Sequence, residues 1–139
     1  LIRKVGRSLS ESANRLKLMM AVLEGIYAVC RLDAQSEIPS WISGPFWSIT
    51  RTPDELSVVC LQECLPGEAS HEGDWRVLKV LGPLSFALTG IKASISSTLA
   101  QADISIFTLS TYDTDYVLVK ADQLEKAVEA LKRQGVEFV

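Results

Sequence analysis

Cys64 and His71 are a pair in this 139-residue chain whose types suit nucleophilic chemistry. A cysteine attacks as the thiolate and needs a base within hydrogen-bond reach. His71 is the single histidine, beside Glu68, Glu72 and Asp74. Pro66, Gly67 and Gly73 make that stretch read as a mobile loop, so a solvent-exposed histidine is the simpler reading. One histidine and the scattered Cys30, Cys60 and Cys64 fit no metal-ligand spacing. Cys30 and Cys60 lie in apolar runs and read as small core hydrophobes. The odd cysteine count argues against a disulfide framework and for a reducing, cytoplasmic setting. Gly82-Pro83 and Gly90 form no phosphate-cradling loop. The chain is therefore expected to be no enzyme, and no metal or other cofactor is expected.

The residues suited to binding lie further on. Asp113 and Asp115 are separated by one position. If the chain there is extended, their carboxylates lie on one side and can hold an ammonium, or a guanidinium through paired hydrogen bonds. The alternative is that a turn favours Asp because its carboxylate bonds the local backbone. Thr89-Gly90 precedes a predicted helix, whose first N–H groups and positive dipole end suit a carboxylate. An amino acid needs both kinds of site a few ångströms apart. Trp41 and Trp47 flank Gly44-Pro45 and read as core or interface packing rather than a pocket wall.

Composition narrows the partners. Apolar residues make up 47% of the chain, enough for a core. The net charge of −3, from 14 basic and 17 acidic residues, argues against nucleic acid. No apolar run approaches the roughly 20 residues needed to span a bilayer, so no membrane partner is expected. Arg3, Lys4, Arg7, Arg15 and Lys17 face only Glu11 at the start. With Ser8, Ser10 and Ser12 interleaved, residues 1–15 read as a solvated leader, with a transit peptide as the alternative.

These residues need elements to position them. Strands are predicted over 16–23, 27–32, 46–51 and 56–61, with one helical turn at Ser40–Ser43. Residues 65–74 read as the loop between two units, 16–66 and 75–139. From Trp75 the order is a strand (75–81), a helix (89–102) striped by Ile91, Ile95 and Leu99, strands at 104–109 and 116–119, a helix (122–133) and a last strand (136–139). Asp122 reads as the second helix's N-cap, with Glu125 completing a capping box, and Gly135 as its stop. The fold class is α+β: a ferredoxin-like βαββαβ order with two helices on one face of a four-stranded antiparallel sheet. A repeat accompanies it. Residues 49–60 overlay residues 108–119 at a shift of 59, with Thr-x-Asp in the same place in both turns. The first unit lacks a long second helix and reads as degenerate.

The Gly-Pro-Phe-Trp-Ser-Ile-Thr-Arg-Thr-Pro-Asp-Glu-Leu segment from Gly44, Trp75 to Val80, and Ser110-Thr111-Tyr112-Asp113-Thr114-Asp115-Tyr116 carry a resemblance. Together they resemble the small tandem ACT-domain proteins, including the aspartokinase-like ACT family of microbes and the cytosolic arginine sensors of animals. The resemblance covers about residues 18–139. It implies two ACT-type units with their sheets side by side, and a regulatory function: a small amino-acid ligand bound at a unit–unit interface. The ligand-binding residues it implies are Thr89, Gly90, Ile91, Ser94, Thr111, Asp113, Thr114 and Asp115. The arginine sensors hold two such halves and this chain resembles one, which implies a homodimer and a further protein partner. A structural homodimerisation module without ligand is the alternative.

Overall fold

The computed structural model describes residues 18–81 and 90–139; the leader and Thr89 lie outside them. Residues 24–76 form one compact unit, and residues 18–23 with 77–139 form another.

In the 24–76 unit, β2 (Tyr27–Leu32), β3 (Ser48–Arg51), β4 (Leu56–Leu61) and the start of β5 (His71–Val80) pair in the order β3-β4-β2-β5. Cys30, Leu56, Val58 and Cys60 are buried on one side, with Trp41, Ile42 and Leu65 packed against them. The β-branched and apolar content of β2 and β4 suits this half-buried pleat. Residues 33–47 are held by Arg51, whose guanidinium donates to the Ala34 carbonyl and, at 2.7 Å, to that of Ser36. The predicted helical turn at Ser40–Ser43 is only a turn at Ser40 and Trp41. Pro39 and Gly44, at φ 105°, leave too short a run to nucleate a helix.

The expected loop over 65–74 is overturned in its second half, because β5 begins at His71. Val29 faces Glu72 and Tyr27 faces Trp75, so two steps along β2 match three along β5. One residue is extra, which makes a β-bulge. Asp74 absorbs it at φ 63°, and its N–H donates to Gln62 Oε1 at 2.7 Å. At position 73 a Cβ would meet that same Oε1, so a larger residue there would push the Gln62 side chain off the Asp74 N–H.

The other unit carries the helices. Its strands pair in the order β6-β7-β5-β1-β8, with β1 at Met19–Val22, β6 at Ile106–Ser110, β7 at Asp115–Lys120 and β8 at Glu137–Phe138. To the four strands expected from Trp75 on, β1 adds a fifth among the described residues. The strand predicted over 16–23 falls within the first unit as bounded by the sequence, 16–66. Instead it inserts between β5 and β8, antiparallel to one (Met20 opposite Val80) and parallel to the other (Met20 opposite Phe138). Met20, fully buried, supplies the reason: it joins Leu78, Val80 and Val136 in the core under the helices.

The helix α1 (Ile91–Gln101) buries Ile91, Ile95 and Leu99, a four-residue spacing that keeps one stripe inward. It shares that core with Ala127 and Leu131 of α2 (Leu124–Arg133). A 3-10 turn over Ala121–Gln123 leads into α2, which carries no side-chain cap, so Asp122 is not the N-cap. Both helices close by the same device. The Val136 N–H reaches the Leu131 carbonyl and the Gly135 N–H that of Lys132; Ile104 and Asp103 do the same to Leu99 and Ala100. These are Schellman closures, which need a left-handed residue. Gly135 supplies it at φ 97°, and Asp103 at φ 61°.

The two hairpins that suggested a repeat share one geometry. Arg51 pairs with Leu56 as Ser110 pairs with Asp115. The Thr52 N–H donates to the Glu55 carbonyl as that of Thr111 does to Thr114, at 2.9 and 2.8 Å. In both turns the threonine hydroxyl accepts from the N–H three residues on.

Candidate functional site at the start of the first long helix

The start of α1 is set by Gly90, left-handed at φ 89° with no side chain capping the turn. Open space surrounds the position of a Cβ there, so the backbone angle and not crowding calls for glycine. The Ser94 N–H closes the first turn on the Gly90 carbonyl at 2.8 Å. The N–H groups before it have no acceptor within the helix, as at any helix start, and the dipole is positive there.

The β6–β7 turn is the second part. Thr111 is exposed, and its N–H and Oγ1 both donate to the Thr114 carbonyl, at 2.8 and 3.2 Å. Thr114 is 5% exposed, and its Oγ1 donates to the Val80 carbonyl at 2.6 Å, tying the turn to the end of β5. Asp113 is exposed and belongs to the turn, whereas Asp115 opens β7. The alternation that would place both carboxylates on one side therefore does not run through them.

Lys92 joins the two parts. Its Nζ donates to Ser110 Oγ at 2.5 Å, and Ser110 Oγ donates to Asp115 Oδ1 at 2.7 Å. Nζ also lies 3.6 Å from that carboxylate oxygen. A cation in the first turn opposes the helix dipole, and Asp115 offsets it. The structure thus links Lys92, in the first turn of α1, to Ser110 and Asp115 of the hairpin. Lys92 and Ser110 were missed by the sequence reading. The signal was an unmatched lysine at a helix start and a carboxylate 23 positions on, which only the fold connects.

Ile91 and Ser94 take a different side of α1. Ile91 is 8% exposed and belongs to the core. Both line a groove against Leu131 and Val136 with about 20 Å³ of room, space for about one water and too small for an amino acid. A wider cleft of about 290 Å³ lies in residues 24–76, lined by Val29, Arg31, Ser57 and His71 among others. Its guanidinium is engaged, donating to the Asp54 carbonyl at 2.9 Å.

The residues considered for catalysis have other partners. Cys64 Sγ lies 3.4 Å from Ser43 Oγ, and His71 Nδ1 lies 2.9 Å from the Ala69 carbonyl. His71 stands in β5, not in a mobile loop. Burial pushes the Cys30 thiol up, and pushes that of Cys60 up to about 11, with Cys64 and Cys30 adding to it. Among the described residues, no group of three His, Cys, Asp or Glu is placed to hold a metal. No helix among them is long and apolar enough to cross a membrane. Trp41 packs on the core of its unit, and Trp47 is 50% exposed.

Comparison with known proteins agrees with the fold. Residues 70–133 match the family model of the ACT domain, and residues 25–68 match that of a separate N-terminal domain. The human cytosolic arginine sensor for mTORC1 subunit 1 is 33% identical over 110 residues, covering 73% of this chain and 33% of the sensor. The chain thus spans about a third of the length of that relative. A crystal structure from Agrobacterium tumefaciens superposes with a TM-score of 0.84 at 40% identity, over 88% of this chain and 92% of that one. Clostridium acetobutylicum aspartate kinase, described as an allosteric enzyme, superposes at 0.66 and 15% identity, over 88% of this chain and 35% of the kinase.

Proposed function

Because this chain belongs to the ACT-domain family through residues 70–133, we propose that it is a non-catalytic regulatory module that binds an amino acid. Binding is at the start of α1 and the β6–β7 turn, with Thr89, Gly90, Ile91, Ser94, Thr111, Asp113, Thr114 and Asp115 as the site segments. The observation that carries this is the Lys92–Ser110–Asp115 chain, which holds an anion-favouring helix start against a turn bearing an exposed carboxylate. The ligand carboxylate takes the first-turn N–H groups, and its ammonium takes Asp113. Ile91 and Ser94 act as support, given the side of α1 they occupy. The relative named as an arginine sensor supports an amino acid as the ligand class.

The finer reading is a cytoplasmic homodimer built from two ACT-type units per chain, with a second copy enclosing the open site beside Tyr112, which stands 84% exposed. A further protein partner would read the bound state. The equal geometry of the two hairpins supports a tandem duplication. A thermal-shift screen of the twenty amino acids tests the proposal. A ligand at 100 times its Kd adds about 2.7 kcal/mol to the native state and raises the midpoint. No shift with any of them at millimolar concentration overturns amino-acid binding. The second reading, a dimerisation module without ligand, rests on β6, which pairs only with β7 among the described residues. Light scattering across a concentration series tests it.

A further inference from the structure

The wider cleft lies wholly in the unit of residues 24–76. Val29 and Arg31 alternate with Cys30 along β2, so they share the face away from the core that Cys30 joins. Ser57 of β4 stands opposite Arg31, and continuing the pairing of Cys30 with His71 places Ser70 opposite it on the other side. The Arg31 N–H donates to the Ser70 carbonyl at 3.1 Å, in keeping with that register. Arg31 thus stands between two serines in one cross-strand row. All of them line the cleft of about 290 Å³, close to the roughly 300 Å³ at which small-molecule pockets begin. The β3–β4 turn fixes the charges along one wall. Thr52 Oγ1 accepts from the Asp54 and Glu55 N–H groups, both at 3.1 Å, and the Thr52 N–H closes on the Glu55 carbonyl at 2.9 Å. From that turn the Asp54 carbonyl takes one of the five guanidinium N–H groups of Arg31, at 2.9 Å. Glu55, half-buried, lines the same cleft. The guanidinium thus turns to a backbone carbonyl rather than to the carboxylate one residue on, and its other donors remain for the cleft.

We infer that this cleft is a second binding site, separate from the start of α1 and not resting on it, and that it takes a small aliphatic amino acid. The charged lining is Arg31 against Glu55 and Glu72. A simple anion reaching Arg31 would face both glutamates, and a simple cation would face the guanidinium. A zwitterion answers both signs. Its carboxylate accepts paired N–H bonds from Arg31, with the Ser57 and Ser70 hydroxyls beside it. Its ammonium donates to the Glu55 carboxylate. Arg31 and Glu55 are diagonal neighbours across β2 and β4, about 7–8 Å apart at Cα. The two ends of an α-amino acid and these long side chains span that gap. Half-buried Val29 offers apolar contact for a short side chain.

Amide NMR spectra of the whole chain, titrated with alanine, propionate and ethylamine at matched millimolar concentrations, test this. Alanine should shift the amides of Arg31, Glu55, Ser57 and Ser70. Propionate lacks the ammonium and ethylamine lacks the carboxylate, so each should bind about fivefold more weakly, the upper end for one exposed ion pair. Arg31→Met should weaken alanine and propionate alike. Glu55→Gln should weaken alanine by about fivefold and leave propionate no weaker. The spectrum of each variant reports whether it folds. The amides of Gly90 and of residues 111–115 report the helix start separately. If alanine shifts those and not the cleft, if propionate binds the cleft as well as alanine does, or if Glu55→Gln leaves alanine affinity unchanged, the inference falls and the helix-start reading is untouched. If alanine shifts the cleft alone, with the expected order, the inference stands and the helix start does not take alanine. If alanine shifts neither, the inference falls and the thermal-shift screen alone decides the helix-start reading.

Discussion

Replacing Thr114 by valine removes one hydroxyl and little else. The two side chains have nearly the same shape, so the packing around residue 114 should survive. What is lost is the 2.6 Å hydrogen bond from Oγ1 to the Val80 carbonyl, at a residue 5% exposed. Leaving a buried acceptor without that partner costs about 1–3 kcal/mol. For a chain of 139 residues, each kcal/mol moves the melting temperature by about 3 °C. The expected loss is therefore about 3–10 °C. Urea denaturation should show a lower midpoint with an unchanged slope, since the exposed area on unfolding is the same. Thr111→Val serves as the comparison: Thr111 bonds its own turn in contact with water, where replacement should cost under about 1 kcal/mol. If Thr114→Val melts within about 1 °C of the unaltered chain, the Thr114 hydroxyl does not anchor the turn to β5.

Two further outcomes are expected. Asp103 holds the left-handed C-terminal position of α1 at φ 61°, where glycine carries no steric penalty. Asp103→Gly should stabilise the chain by about 0.5–1 kcal/mol in denaturant titration, and a loss would mean that the carboxylate has a partner worth more than the strain. Burial lifts the Cys60 thiol to about 11 from an ordinary 9.0. The folded state therefore prefers the neutral thiol: that stabilisation is complete below about pH 9 and is lost as pH rises toward 11. An aromatic disulfide reagent at pH 8 should label Cys64 in the native protein and Cys30 and Cys60 only on unfolding; rapid native labelling of Cys60 would contradict its burial.

The parts of the fold legible in the sequence are those whose signals are local. The β6–β7 hairpin follows from Thr111 and Asp113 between two apolar runs, and α1 from the four-residue spacing of Ile91, Ile95 and Leu99. Where partners lie far apart in the chain, reading residues in order fails. Met20 carries no mark that it packs with Val80 and Val136 rather than with the strand that follows it. Gly73 and Asp74 look like loop residues because a bulge uses the same chemistry as a turn. Asp103 follows the helix predicted over 89–102, and nothing in its type announces φ 61°. Of the site, the two segments were legible and their junction was not. Asp115 resembled a free cation receptor until the fold supplied Lys92.

The position of β1 also bears on the order in which the molecule assembles. Met20 pairs with Val80, sixty residues along, and with Phe138, almost at the other end. Contacts so distant close large loops and slow the search for the native state. Residues 24–76 lie wholly between β1 and its partners and form their own compact unit. During synthesis that inner segment is complete before either partner of β1 has left the ribosome. β1 is thus made before both of its partners and waits for them, and its docking, rather than formation of either hairpin, should set the rate of the final folding step.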